Sequence, residues 1–414
     1  MTTILILEMI LFFCILLWKY LKYHISILFY ASSWFVLFYA LYFIYPAICL
    51  DSFVKNDNWQ ISVESISCSK FIVFILGVIF IVFYAMLYFP KIQNIKRFEF
   101  FPRYKILYQI AKIFIIVAFM VISFALVRLI SVYKSLIENF DYLHYRHELE
   151  LIRAQTHLKI ISYLLLGIFY YIGVFNKRIK LFLFFLFLEL LIFEFLSGTR
   201  TTMFFIVIFI YLTMVRHTKN GYLKVIMFLM IIILFSSNVM RSIGLQKTQK
   251  GGSFLEKFFE GNGEFNNTFI TLPYVMEYRM EGTGSIESVL STTLFWIPPL
   301  TRFIDVETPG NIYQNKIDRG IGYASSFITN GIFYFNYIGL FIFPIMFLFL
   351  LFFDNRLNIN SPNQFLFKIL MICFIRNFCR EGTASFFTFI YIFIVYFGFF
   401  MILEKKGLKK LCIN

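Results

Sequence analysis

Apolar residues in this chain come in long blocks instead of alternating with polar ones. From the N-terminus, nearly unbroken runs occupy roughly 3–18, 25–50, 71–90, 106–131, 158–175, 181–197, 201–215, 225–240, 325–353, 365–379 and 384–403. An α-helix needs ~20 apolar residues to cross a hydrocarbon layer, so the pattern predicts an all-α polytopic membrane protein with about eleven transmembrane helices. The second and ninth runs exceed what a bilayer requires. Pro46 in one, and Asn336, Gly339 and Pro344 in the other, mark where a tilt or break is expected. The polar stretches divide the chain into 1–240 with eight spans, a long loop 241–324, and 325–414 with three spans and a basic tail.

Composition agrees with that reading. Of 414 residues, 60% are hydrophobic and only 15% charged, with a mean hydropathy of +0.77. A soluble domain carries about a quarter charged residues. A formal charge of +15 could suggest nucleic acid. No soluble segment carries a basic stripe with interleaved aromatics, however, and contact of inner loops with anionic lipid in the bilayer accounts for the excess.

The positive-inside bias sets orientation. With the N-terminus outside, the short loops 19–24, 91–105, 176–180, 216–224 and 354–364 and the tail from 404 fall inside. They concentrate Lys and Arg, including Lys177-Arg178-Ile179-Lys180 and Lys405-Lys406. The opposite orientation would put all of them outside. The first run reads as a retained span, because Glu8 interrupts it, Lys19 follows it and no basic n-region precedes it. Six scattered cysteines form no CxxC pair and predict neither a disulfide framework nor a metal site.

Two outer segments are long. Residues 132–157 alternate charge with Leu, Ile and Tyr at helical spacing, which predicts an amphipathic helix on the membrane surface. Residues 241–324 form the largest polar region, and a loop of that length is usually functional. Within it Val289–Leu300 is apolar but too short to span, and is expected to re-enter the membrane or lie on it.

The chemistry centres on Ser197-Gly198-Thr199-Arg200-Thr201-Thr202, a tight turn between the sixth and seventh runs at the outer face. A helix amino end already favours an anion, so a cation there points to an anionic partner. The alternative is an ordinary turn with a snorkelling arginine. Inner loops are dominated by lysine, whereas outer loops carry arginine at least as often: Arg200, Arg241, Arg279, Arg302, Arg319, Arg376 and Arg380 among them. Planar, bidentate guanidinium suits phosphate, and Arg376 and Arg380 share a helix face at i,i+4. Glu189 and Glu194 lie within the sixth run. A carboxylate there must be paired, protonated or functional, and for Glu194 a salt bridge to Arg200 is the plain reading. His144, His147 and His157 lack the acidic or cysteine companions of a metal site, and no cofactor fingerprint is present. Glu277, Asp305, Glu307, Asp318 and Glu381 are candidate outer bases, and the sequence does not choose among them.

At these residues the chain resembles the bacterial oligosaccharide repeat-unit polymerases, the Wzy-type O-antigen and capsule polymerases. Phe195-Leu196-Ser197-Gly198-Thr199-Arg200 is similar to the family's Gly-Ser/Thr-Arg turn. Trp296-Ile297-Pro298-Pro299-Leu300-Thr301-Arg302 is similar to its Ile-Pro-Arg segment. It differs by residues inserted between proline and arginine, and by Glu307-Thr308-Pro309 where lysine would precede proline. Gly320 to Ile328, leading into Asn336-Tyr337-Ile338-Gly339-Leu340, resembles the glycine-rich approach to the following span.

The resemblance implies a GT-C-like membrane glycosyltransferase in the bacterial inner membrane, with its N-terminus periplasmic and its C-terminus cytoplasmic. Such an enzyme moves a growing glycan from undecaprenyl pyrophosphate onto the next lipid-linked repeat unit at the periplasmic face, without a metal or other cofactor. A chain-length regulator is an expected partner. Arg200, Arg302 and Glu381 would be catalytic; Thr201, Arg241, Arg279, Arg319, Arg376 and Arg380 would bind substrate. The competing readings are an O-antigen ligase-like transferase, a flippase for lipid-linked sugars, and a membrane scaffold. A flippase should show internal halves and charge at the midplane, whereas this sequence shows no halves and concentrates its polar residues in one outer loop.

Overall fold

The computed structural model describes residues 1–49, 61–89, 105–139, 142–173, 176–197, 200–217, 268–280, 326–359, 361–382 and 388–402, and within them there is no strand. The helices are α1 Thr2–Tyr23, α2 Ala31–Cys49, α3 Val63–Met86, α4 Lys105–Asn139, α5 Tyr142–Thr156, α6 Leu158–Gly173, α7 Lys177–Leu196 and α8 Arg200–His217. After these come α9 Thr271–Met280, α10 Phe327–Phe335, α11 Gly339–Arg356, α12 Pro362–Glu381 and α13 Thr388–Ile402. Every predicted run has a helix over it except 225–240, which lies outside the described residues. Among the described residues five helical stretches are long and apolar enough to cross a membrane, or six if the bent pair His147–Thr156 and Leu158–Gly173 counts as one. The chain is a multi-pass membrane protein.

Helix ends follow local chemistry. Ser62 caps α3 by accepting from the Ser65 N–H at 3.2 Å, and Asn176 caps α7 by accepting from Arg178 and Ile179 at 3.1 Å each. Pro362 opens α12, where a missing N–H costs nothing. Within α2 the turn Ala40–Ile44 is wound as a π-helix just before Pro46. A proline ring collides with the carbonyl four residues back, and a widened turn relieves that collision without ending the helix.

The chain divides into two compact units: residues 1–94 with 262–391, and 95–261 with 392–414. In the first unit α1 lays Leu5, Glu8, Phe12, Lys19 and Tyr23 against its neighbours and turns Leu7, Leu17 and Leu21 outward, as lipid contact requires. Lys19 donates from Nζ to the carbonyls of Ala85 (2.9 Å) and Leu87 (2.6 Å), so a cation closes the carboxyl end of α3. Nearby, Asp354 and Lys368 form a fully buried pair at 3.2 Å. Asp354 Oδ2 also accepts from the Ala31 N–H at the start of α2 (2.9 Å), and the Lys368 ammonium lies 4.2 Å from the Tyr30 ring centroid.

The run 325–353 does not continue as one helix. Asn336, at φ 57°, reverses the chain, and α10 folds back along α11. Phe327 stacks on Phe347 at 5.6 Å and Phe335 meets Phe343 at 5.7 Å. In a straight helix the first pair would be about 30 Å apart. The hairpin closes where Gly331 and Gly339 place backbone on backbone. From Phe327 to Tyr334 every residue of α10 is buried, as expected for a helix with apolar groups all round.

In the second unit α5 folds back on α4, with Tyr133 against Tyr145 at 6.1 Å and Arg128 paired to Glu148 at 3.4 Å. The stretch 132–157 therefore extends one helix and begins the next, instead of forming one surface helix. His157, at φ 48°, marks a 48° bend into α6. Aromatic contacts of Tyr163 with Tyr396 and of Tyr171 with Phe400 bring the end of the chain against α6.

Candidate functional site

Within the first unit the half-helix α10 brings polar groups to a depth where lipid would not tolerate them. Its amino end begins at Ser326, whose hydroxyl accepts from the Thr329 N–H (3.2 Å) and bonds the Thr329 hydroxyl (2.9 Å). The Thr329 hydroxyl also meets that of Thr271 (3.4 Å), which donates to the Thr268 carbonyl at 2.7 Å. The 268–280 stretch, expected as outer loop, thus contributes a helix that packs Leu272, Val275 and Met276 inside the unit.

Against the amino end of α10 stands the carboxyl end of α12. Gly382 closes α12 at φ 59°, and a Cβ there would lie 2.4 Å from Asn330 Nδ2 and 3.0 Å from the Phe327 nitrogen. Only glycine both adopts that backbone and leaves that room. One turn and a half earlier Arg376 is buried, 6% exposed, and donates from Nε to the Tyr42 hydroxyl at 3.0 Å. Tyr42 lies in the π-wound turn of α2, so the widened turn presents the phenol to the guanidinium. Asn377 is buried beside Arg376, and Arg380 follows at half-burial one turn on.

Depth follows from α11. Its 18 residues measure about 27 Å, close to a bilayer core. Phe347 and Gly382, which bracket the start of α10, lie roughly 10–20 Å along the helices from the Asp354–Lys368 pair. Irregular backbone at such a depth persists only where protein buries it or a polar cavity needs it. Two guanidiniums, a helix amino end and the carboxamides of Asn330 and Asn377 together suit an anion or a polyhydroxyl ligand.

In the second unit the Arg200 turn has its own support. Arg200 is the first residue of α8 and Thr201, half-buried, is the second. The Arg200 side chain lies outside the described residues. Glu194, read from sequence as its partner, receives Arg153, Nη2 to Oε2 at 3.2 Å. The same Nη2 donates to the Ser197 hydroxyl (2.8 Å), and the Tyr145 hydroxyl donates to the Leu196 carbonyl (2.6 Å). Glu189 accepts long bonds from Ser123 at 3.4 Å.

Arg241, Arg302 and Arg319 fall outside the described residues, as does Val289–Leu300. Arg279 lies near the end of α9 and Glu381 at the end of α12, with side chains not described. Tyr42, Asn330, Asn377, Arg153 and Tyr145 did not emerge from sequence reasoning. Among the described residues no three His, Cys, Asp or Glu side chains are grouped to hold a metal ion.

Compared with known proteins, the chain matches the family model described as O-antigen polysaccharide polymerase Wzy over residues 1–410. No curated protein and no solved structure matches it.

Proposed function

Since the chain belongs to the O-antigen polysaccharide polymerase Wzy family, we propose that it extends O-antigen at the periplasmic face of the bacterial inner membrane. In this reading it moves the growing glycan from undecaprenyl pyrophosphate to the next lipid-linked repeat unit. Membership makes it a glycosyltransferase-type polymerase acting on a lipid-linked oligosaccharide.

Displacement at an anomeric carbon needs the departing diphosphate stabilised and the attacking hydroxyl relieved of its proton. Arg200 at the amino end of α8 is assigned to the diphosphate, aided by the Thr201 hydroxyl and the helix dipole. Arg302 takes a second contact to the leaving group, and Glu381, ending α12, is the candidate base. Arg376 and Arg380 contact phosphate or sugar in the first unit, and Arg241, Arg279 and Arg319 assist from the outer segments. Guanidinium groups supply the charge stabilisation that a metal would otherwise give. The observation that carries this reading is Arg376 itself, a buried arginine oriented by Tyr42 beside the embedded amino end of α10. An ionisable side chain buried at such a depth is expensive and points to a functional site.

The eleven-span, GT-C-like arrangement with an outer N-terminus belongs to the same proposal, as does a chain-length regulator as partner. In a strain lacking the native gene, Arg200→Ala should insert normally and leave a single repeat unit on the lipid A core. A normal ladder of chain lengths in that strain would remove Arg200 from the mechanism.

A further inference from the structure

We infer that Arg153, supported by Tyr145, is a positioning residue for the turn that presents Arg200; this rests on the assignment of Arg200 to the diphosphate. The last carbonyls of α7 lack partners within their own helix. Two of them are taken up in the turn: Leu196 O accepts from Tyr145, and Glu194 O accepts from the Ser197 hydroxyl at 3.0 Å. Ser197 Oγ in turn accepts from Arg153, which also holds the Glu194 carboxylate. Three positions at and just before the turn, 194, 196 and 197, are thereby tied to α5, and Arg200 follows three residues after the last.

The pair is shielded: the Glu194 side chain is 6% exposed and that of Arg153 33%. A cation at the carboxyl end of α7 also complements the helix dipole. Helix α5 is also held to α4, because Arg128 of α4 bonds both Glu148 and Gln155. Helix α5 is therefore a strut held to α4, with Tyr145 and Arg153 bearing on the turn. Sequence spacing hides this, since Arg153 precedes Glu194 by 41 residues. If the strut slackens, α8 loses the fixed origin from which its first side chain projects. A misplacement near 1 Å costs a positioned group about 100-fold.

The test uses the full chain in proteoliposomes with a diphosphate-linked repeat unit, reading kcat and KM separately. Arg153→Ala should lower kcat about 10- to 100-fold with KM little changed, because the loss falls on the transition state. Exchanging the charges, Arg153→Glu with Glu194→Arg, should restore most of that kcat. Arg200→Ala should be inactive whatever occupies 153. Full kcat in Arg153→Ala beside an inactive Arg200→Ala would overturn the strut and leave the diphosphate assignment standing. An active Arg200→Ala would overturn the assignment itself. A raised KM at unchanged kcat would make Arg153 a substrate contact and also overturn the proposal. Should Arg153→Ala not accumulate, Arg153→Lys and Tyr145→Phe decide, and wild-type kcat in both would overturn it.

Discussion

Gly339 is the position at which the half-helix is most exposed to a small change. A Cβ built there would lie 1.8 Å from the Gly331 carbonyl oxygen, and one on Gly331 would lie 2.4 Å from the Gly339 oxygen. Both obstacles are backbone, so no rotamer change relieves them. Ordinary contact begins at 3.4 Å, and Gly339→Ala must part the two helices by about 1.6 Å. Overpacking of this kind costs about 1–3 kcal/mol, which a well-packed unit survives. The functional loss should be larger. Opening the hairpin pulls Phe327 from Phe347 and shifts Asn330 from Gly382, displacing the polar end of α10 relative to Arg376 by more than the 1 Å that costs about 100-fold. Gly339→Ala should therefore reduce repeat-unit polymerisation by about two orders of magnitude at near-normal membrane abundance. The glycan ladder on lipopolysaccharide reads it, with apparent unfolding temperature in detergent as the companion measurement. Gly398→Ala is the control, since its nearest neighbour is 3.8 Å away. A wild-type ladder from Gly339→Ala would mean that the hairpin's close approach is packing without consequence for the site.

Three further outcomes are expected. Asp354→Ala strands the buried Lys368 ammonium and removes the cap on α2, a loss of about 3–5 kcal/mol for the pair and about 1 kcal/mol for the cap. Asp354→Leu with Lys368→Met should recover most of it in thermal unfolding; equal loss in single and double variants would refute the coupling. Tyr42→Phe removes the acceptor for Arg376 Nε, a charge-assisted bond of about 1.5–3 kcal/mol, and should slow polymerisation about tenfold or more. Unchanged turnover would show that Tyr42 does not orient Arg376. A cysteine at Tyr337, on the exposed hairpin apex, should react with an impermeant thiol reagent from the periplasm, while one at Arg356 should not. The reverse pattern would invert the charge-based orientation.

The helices were legible because apolar run length acts locally. Asn336 announced its break, whereas the caps Ser62, Asn176 and Ser326, each holding an amino end from within three residues, were not singled out from the sequence. The half-helix was not legible as such. Nine residues that are apolar all round read the same whether they lie within a spanning helix or fold back beside one. Gly331 and Gly339 were the available clue, eight apart across Asn336, but their contact exists only after the reversal. Helix α9 hid for the opposite reason: Leu272, Val275 and Met276 have helical spacing, yet Pro273, Glu277 and Arg279 make the window polar. For Glu194 the strut brings Arg153, a partner that only tertiary packing can supply.

Polar contacts between distant segments bear on how often the chain crosses the bilayer. Asn355 donates to the Tyr88 carbonyl at 3.2 Å, and Asp354 accepts from Ala31, all at ends that the loop charges assign to the inside. Ser62 donates to Glu277 at 3.1 Å, at ends assigned to the outside. In the second unit Asn176 meets Tyr108 at 3.0 Å, inner end to inner end, and Arg153 meets Glu194, outer to outer. Contact across opposite faces would have to bridge about 30 Å of hydrocarbon. Because Tyr88 and Asn355 touch, the chain between them must cross an even number of times.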